Sequence, residues 1–421
     1  MNPPDAISPK QVFDAQGIHA AARQAAPAIA ELRHDLHAHP QLAYEETYAA
    51  ERVQEALAEA GIPFEAGVAE TGVVGWLRRD DQADRPAVLL RADMDALPIT
   101  EETGVPYASQ TPGRMHACGH DGHTAALVGA ARLLAQWRDD LPHPVKFLFQ
   151  PAEEGGAGAE RMIRQGALGL GGPTGCAFGL HGWPALPLGT AATRTGPFLA
   201  ATDSFRITLR GLGGHAAMPD QTLDPAPAMA ALVSALHTVV SRNVPPADQA
   251  VISVTQAHLG SGEAVNIIPP SAWVAGTLRT VSPETRERTQ DRVRTLAQGV
   301  AEAFEVEADA VIDDGYPAVL NHPALTGVAQ EVHRGLLGDD ASITVPSPVM
   351  GGEDFAYLAQ AVPSNFTMIG LARPNEPSPP GLHHPAFDFN DDALPVAMAL
   401  HCGYALHADP ERWAQPINHS R

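Results

Sequence analysis

Between Met115 and Thr124 the sequence Met-His-Ala-Cys-Gly-His-Asp-Gly-His-Thr holds a thiol (Cys118), three imidazoles (His116, His120, His123) and a carboxylate (Asp121). Sulfur, imidazole nitrogen and carboxylate oxygen in one short stretch form a donor set for zinc-like divalent ions, so the first chemistry to expect is metal binding. Cys118 and His120 are two apart, and in an extended loop they project to the same side, as two ligands of one metal cluster must. The packing alternative is a loop that merely precedes a helix beginning near His123, with Asp121 as its N-cap. The density of donors argues against it for the cluster, although His116 and His123 taken singly fit packing roles.

Further candidates follow apolar runs. Val145-Lys146-Phe147-Leu148-Phe149-Gln150 opens through Pro151-Ala152 into the adjacent carboxylates Glu153 and Glu154 on a Gly-rich turn. Such a pair suits a division of labour, in which one carboxylate binds metal and the other holds and deprotonates an attacking water. Cys176-Ala177-Phe178-Gly179-Leu180 ends in His181, and Val88-Leu89-Leu90-Arg91-Ala92 leads to Asp93 and Asp95. These aspartates can orient a ligand imidazole from behind or cap a turn before Pro98. Near the far end, Gly381-Leu382-His383-His384-Pro385 offers two imidazoles, one of which would close the site.

The elements that must carry these groups alternate. Residues 18–38 and 45–60 have helical spacing, the second ending at Gly61. Short apolar runs at 73–77, 87–92, 145–149 and 176–180 are separated by helical stretches at 123–138 and 157–168, which predicts an α/β sheet of parallel strands. Such sheets bind ligands at the carboxyl edge of their strands, where the candidates fall. From about 194 the rhythm becomes a strand at 203–210, a helix at 225–242, strands at 249–258 and 272–280, a helix from Pro283 to about 304 and a strand at 306–312. That order is the ferredoxin-like split β-α-β-β-α-β unit. The predicted organisation is a catalytic metal-binding domain of residues 1–193 and 313–421, with an inserted α+β lid or dimerisation domain at 194–312.

Composition narrows the partners. Of 421 residues, 27 are Lys or Arg and 49 Asp or Glu, a formal charge of -22, which argues against nucleic acid or an anionic membrane as partner. No segment approaches eighteen uninterrupted apolar residues, and the start Met1-Asn2-Pro3-Pro4 lacks the basic and apolar pattern of a leader. Three cysteines are too few for a disulfide framework. A cytoplasmic location is expected. There is no Gly-x-Ser-x-Gly elbow, and Gly211-Leu212-Gly213-Gly214-His215-Ala216 fits a dinucleotide fingerprint only loosely. A nucleophile-base pair of Cys118 and His120 would leave the surplus His and Glu unexplained.

Taken together, these segments resemble the M20 family of metallopeptidases, and within it the aminoacylase/hippurate hydrolase branch that includes auxin-conjugate hydrolases. The matching blocks are Arg91 to Pro98, Met115 to Thr124, Gln150 to Glu154, Gly179 to Pro184, Gly213 to Pro219 and Leu382 to Pro385, covering nearly the whole chain. The resemblance implies a mixed-sheet di-metal hydrolase domain with an inserted lid. It implies Cys118, His120, Glu154, His181 and His383 as ligands of two divalent ions per subunit (Zn, Mn, Co or Ni), with Glu153 as general base. His383 is preferred to His384 because the family pattern is Leu-His-x-Pro. Cys118, where peptidase branches carry Asp, favours the aminoacylase branch. His215 is similar to the family residue that reaches across a dimer to polarise the scissile carbonyl, and Asn266 and Arg279 would hold a substrate carboxylate. The expected function is metal-dependent hydrolysis of small N-acyl amino acids by a homodimer or higher homo-oligomer. A dipeptidase or carboxypeptidase on the same site is the second expectation. Glu153 argues against a metal-stabilised binding protein with a dead site.

Overall fold

Fourteen of the seventeen residues of the helix His120–Gln136 are buried, because the segment is rich in Ala and Gly and so admits neighbours on nearly every side. The helices Ala15–Ala38 and Leu394–His407 pack against it, and it lies on the strand Ala87–Asp93. The computed structural model describes residues 14–260, 264–373 and 379–413; the start of the chain and part of the Pro-rich stretch before Gly381 lie outside them.

The chain divides into two compact units, one of Met1–Gly196, Leu320–Pro346 and Tyr357–Arg421, the other of Pro197–Val319 and Ser347–Ala356. The first contains an eight-stranded sheet in the order Phe64–Val68, Gly72–Leu77, Val145–Gln150, Ala87–Asp93, Thr174–Pro187, Ser364–Ala372, Ala191–Thr193, Ser342–Thr344. Its four central strands are parallel, and both Ala87–Asp93 and Val145–Gln150 are buried at every position, as strands covered on two faces must be. The sheet is mixed rather than all-parallel. Gly72–Leu77 runs antiparallel to Val145–Gln150, because a tight turn through Ala69 and Glu70, both at positive φ, folds it back on Phe64–Val68 as a hairpin.

Other differences from the sequence reading are local. The helix starts at His120, not His123, and its N-cap is Gly119, whose φ of 89° suits a residue without Cβ. Asp121 is therefore inside the first turn and buried rather than capping. The strand of His181 runs on to Pro187 instead of ending before the histidine. Pairing with Ser364–Ala372, a strand absent from the sequence reading, carries it further. Its other neighbour is registered only through Arg91 opposite Gly179, so His181 still stands at the level where that neighbour ends.

In the second unit, alternation along Ala201–Arg210 buries Phe205, Ile207 and Leu209 against the helices, as the period-two pattern requires. Four antiparallel strands lie in the order Ala250–Leu259, Ser271–Thr280, Ala201–Arg210, Glu307–Asp314, with helices Pro225–Leu236 and Pro283–Ala303 contributing to their core. This is the ferredoxin-like arrangement that the element order predicts. Among the described residues no helix is long and apolar enough to cross a membrane.

Candidate metal and active site

The carboxyl ends of neighbouring strands are cross-linked by a fully buried arginine. Arg91 Nη1 lies 2.7 Å from Asp93 Oδ2, and its Nε donates to Gln150 Oε1 at 2.8 Å. Beyond this link the chain delivers the ligand candidates with fixed tautomers. His120 Nδ1 faces two acceptors, Asp95 O at 2.9 Å and Asp95 Oδ1 at 3.1 Å, so it carries the proton. Its Nε2 is buried without a hydrogen-bond partner. Asp95 Oδ2 accepts the Glu154 amide at 2.8 Å, so one aspartate orients both a histidine and the glutamate turn. His181 Nδ1 donates to Gly182 O at 2.8 Å, leaving Nε2 3.4 Å from Cys118 Sγ. His383, at φ 64°, is held by its amide on Ala117 O at 2.8 Å and sets Nε2 3.1 Å from Glu154 Oε1.

Four donor groups lie within the first unit, each with ligand atoms within 4.8 Å of one another: Cys118, His120 and His181; Cys118, Glu154 and His383; His120, Glu153 and Glu154; Asp93, His120 and His123. The sequence-derived set thus comes together in the first unit, and Cys118 belongs to two of the groups. An orphaned buried imidazole nitrogen amid thiol, imidazole and carboxylate donors fits divalent metal ions. Asp93 does something different from Asp95. Its Oδ1 takes the His123 Nδ1 proton at 2.7 Å, while His123 Nε2 accepts the Gly182 amide at 2.8 Å. With both ring nitrogens engaged, His123 is a strut and not a ligand. Both His383 and His384 are exposed, but His384 Nδ1 accepts the Ala386 amide while His383 Nε2 approaches Glu154 and joins a donor group with it and Cys118, which makes His383 the imidazole at the site.

The electrostatics follow from burial and charge. Burial pushes the Cys118 thiol up, and burial together with neighbouring His123 pulls His181 down. For Asp93 and His120 burial opposes the charged forms but their mutual attraction outweighs it, holding Asp93 well below and His120 well above their ordinary ranges.

In the second unit His215 is exposed on a two-stranded ladder opposite Ile267, beside Asn266, whose carbonyl accepts the Ala216 amide at 3.0 Å. His215 Nδ1 accepts the Ala217 amide at 3.1 Å, so the neutral ring offers Nε2–H outward. Arg279 is not brought to Asn266. Ser271 pairs with Arg210 and Arg279 with Thr202, so Arg279 sits eight residues along its strand from the Asn266 end. That separation is roughly 26 Å, and one chain does not offer both groups to one carboxylate.

Sequence reasoning missed what stands behind the ligands. Arg33, fully buried, pairs with Asp121 at 2.8 Å and also with Asp388 and Asp391, and thereby fixes the first turn of the His120 helix. His37, four residues on, bonds Asp121 at 2.8 Å and Glu101 at 3.2 Å. The available signal was an Arg and a His at helical spacing on the face of Ala15–Ala38 that also carries Ile29 and Leu36. Burial disfavours charge on His37, yet its bonds to Asp121 and Glu101 prevail and raise it from 6.5 to about 9. A raised folded-state pKa contributes stability that is complete below about 6.5 and lost as pH rises through about 9, at most about 3 kcal/mol. The thermal midpoint of the wild type should therefore fall between pH 6.5 and 9 more steeply than that of His37→Gln. Equal slopes in scanning calorimetry would contradict this.

Residues 89–407 match peptidase family M20/M25/M40, and the chain belongs to that family. It is an amide-bond hydrolase. It is 38% identical over 383 residues to the N-acetyl-L-cysteine deacetylase of Bacillus subtilis, covering 90% of this chain and 87% of that protein. It is 37% identical over 382 residues to IAA-amino acid hydrolase ILR1-like 2 of Arabidopsis thaliana, covering 90% and 84%. Among solved structures it resembles the Bacillus subtilis YXEP protein, described as a dinuclear metal binding peptidase from the M20 family. The TM-score is 0.78 and the identity 33%, with 91% of this chain and 98% of that one covered.

Proposed function

We propose that the chain hydrolyses the amide bond of small N-acyl amino acids in a metal-dependent reaction. The observation that carries this is the clustering of Cys118, His120, Glu154, His181 and His383 in overlapping donor groups, with Glu153 in one of them and the buried His120 Nε2 without a hydrogen-bond partner. Names of the relatives agree, one a deacetylase of N-acetylcysteine and another a hydrolase of amino acid conjugates. Two divalent ions (Zn, Mn, Co or Ni) would fit groups that share Cys118, the count matching the dinuclear relative. Bound there, they would supply Lewis acidity that polarises a carbonyl and lowers the pKa of water toward about 7.

The side chains then divide the work. Glu153 takes a proton from the water that attacks the acyl carbon, and the same carboxyl returns it to the amine nitrogen as the C–N bond breaks. Water and amide become carboxylic acid and amino acid, with no other reactant. His215 Nε2–H donates to the developing oxyanion. We place a homodimer behind this. His215 is ringed by exposed Leu212, Met218, Val265 and Ile267, with Val265 98% exposed, an apolar surface suited to burial against a second copy. Arg279 and Asn266 could then meet one substrate only from different protomers. Three buried free thiols suit a reducing, cytoplasmic setting.

The test is an assay of metal-stripped and reloaded protein on N-acetyl, N-benzoyl and indoleacetyl amino acids beside unblocked dipeptides. Metal-dependent release of amino acid from the acylated set is expected; cleavage confined to dipeptides would put a peptidase in its place. His215→Ala should lower kcat by about 10²- to 10³-fold, as loss of an oxyanion donor does, with little change in the circular dichroism spectrum. Unaltered kcat would remove His215 from the reaction.

A further inference from the structure

Five of the seven non-glycine residues at positive φ among the described residues, Tyr44, Ala69, Glu70, Ala152 and Ala157, belong to three chain segments that meet at Glu46. The Glu46 side chain is completely buried, and it has three donors. Its Oε1 accepts the amides of Tyr44 and Ala152, each at 2.9 Å, and its Oε2 accepts the Thr71 hydroxyl at 2.6 Å. Although Glu46 immediately precedes the helix Thr47–Glu59, its side chain makes no capping bond, so the carboxylate does not serve the helix. A buried carboxylate is costly to keep, and what this one delivers is geometry at Ala152.

Ala152 is the residue before the catalytic pair. An alanine at φ 54° is strained where glycine would not be, and such a conformation persists only when its surroundings over-determine it. Here the amide is held by Glu46 and the carbonyl by the Gly158 amide at 3.2 Å, while Tyr44 Oη donates to Gly156 O at 2.5 Å further round the same turn. From the other side Asp95 holds the Glu154 amide. The turn is thus clamped before and after Glu153.

We infer that Glu46 is a positioning residue for the reaction: its carboxylate holds Ala152 in the left-handed conformation that turns Glu153 and Glu154 toward the metal site. The inference rests on the proposed function for the roles of that pair. Glu46→Gln keeps an oxygen for both amides, and its NH2 can donate to the Thr71 hydroxyl, so it should stay within about threefold of wild type in kcat and in Mn²⁺ dissociation constant. Glu46→Ala should lower kcat about a hundredfold with KM changed less than about threefold, and weaken Mn²⁺ about tenfold by calorimetric titration. Adding Ala152→Gly, which adopts the same φ without a clamp, should recover at least about fivefold of that kcat. A role in folding alone would lower the melting temperature of Glu46→Ala while leaving kcat and Mn²⁺ affinity intact, and that result overturns the inference. So does a Glu46→Gln enzyme as impaired as Glu46→Ala. Should Glu46→Ala not fold, Glu46→Asp, one methylene too short for both amides, takes its place with the same expectations. The titration needs no turnover: wild type that binds no Mn²⁺ overturns the metal-site reading itself, whereas equal binding by wild type and the Ala or Asp variant overturns only the clamp.

Discussion

Glu153→Gln should abolish turnover, lowering kcat by at least about a thousandfold while the protein binds the same amount of metal as the wild type. The substitution keeps the length and the buried setting of a side chain that is 6% exposed, but removes the group able to take and return a proton. Binding of an N-acyl amino acid should persist, so the loss should fall on kcat and not on KM. The neighbour supplies the control. Glu154 shares a donor group with Cys118 and His383, so Glu154→Gln should lose metal as well as activity. Activity of Glu153→Gln near that of wild type, or loss of metal equal to that of Glu154→Gln, would show that the two roles are wrongly divided.

Chelation should have the next largest effect, removing activity by at least about a hundredfold and lowering the melting temperature together. Ion binding to the folded state alone stabilises by about 2.7 kcal/mol at one hundred times the dissociation constant, which in a domain of this size is a shift of several degrees. Reloading with Mn, Zn, Co or Ni should restore both, and the order of restored activity would identify the working ion. His120→Ala, which removes a buried imidazole common to three donor groups, should reproduce the chelated state and resist rescue. Full activity after exhaustive chelation would exclude a metal role for the whole constellation.

The donors at this site were legible in the sequence because their chemistry is local: Cys118, His120, the Glu153-Glu154 pair and His181 each follow or adjoin an apolar run that declares a strand or helix. Strand edges in an α/β sheet converge, so three such runs in order imply one site. The order of elements between 194 and 312 likewise gave the ferredoxin-like unit, since hydrophobic period and turn residues specify it segment by segment. What could not be read depends on distant partners. That Gly72–Leu77 runs backwards, and that His181 continues a strand paired with Ser364–Ala372, follow from pairings the local pattern does not encode. Arg33, His37 and Glu46 look like ordinary charged positions of helices or turns until the fold buries them. Asn266 and Arg279 show the converse limit, since a motif can name both while a ten-residue strand keeps them apart.

The late arrival of Ser364–Ala372 at the centre of the sheet constrains how the chain can be made. Ser364 follows Pro187 by 177 positions, so the strand carrying His181 waits with one edge bare while the intervening residues are synthesised. At roughly 5–20 residues per second that interval is on the order of ten to thirty-five seconds. An apolar strand edge open for so long is a template for pairing with another chain, and parallel strands distant in sequence close slowly. The intervening ferredoxin-like unit, whose pairings are nearer in sequence, has time to fold first. Truncated or stalled chains that stop before Ser364 should therefore aggregate through the unfinished sheet, which makes completion of translation a requirement for solubility as much as for catalysis.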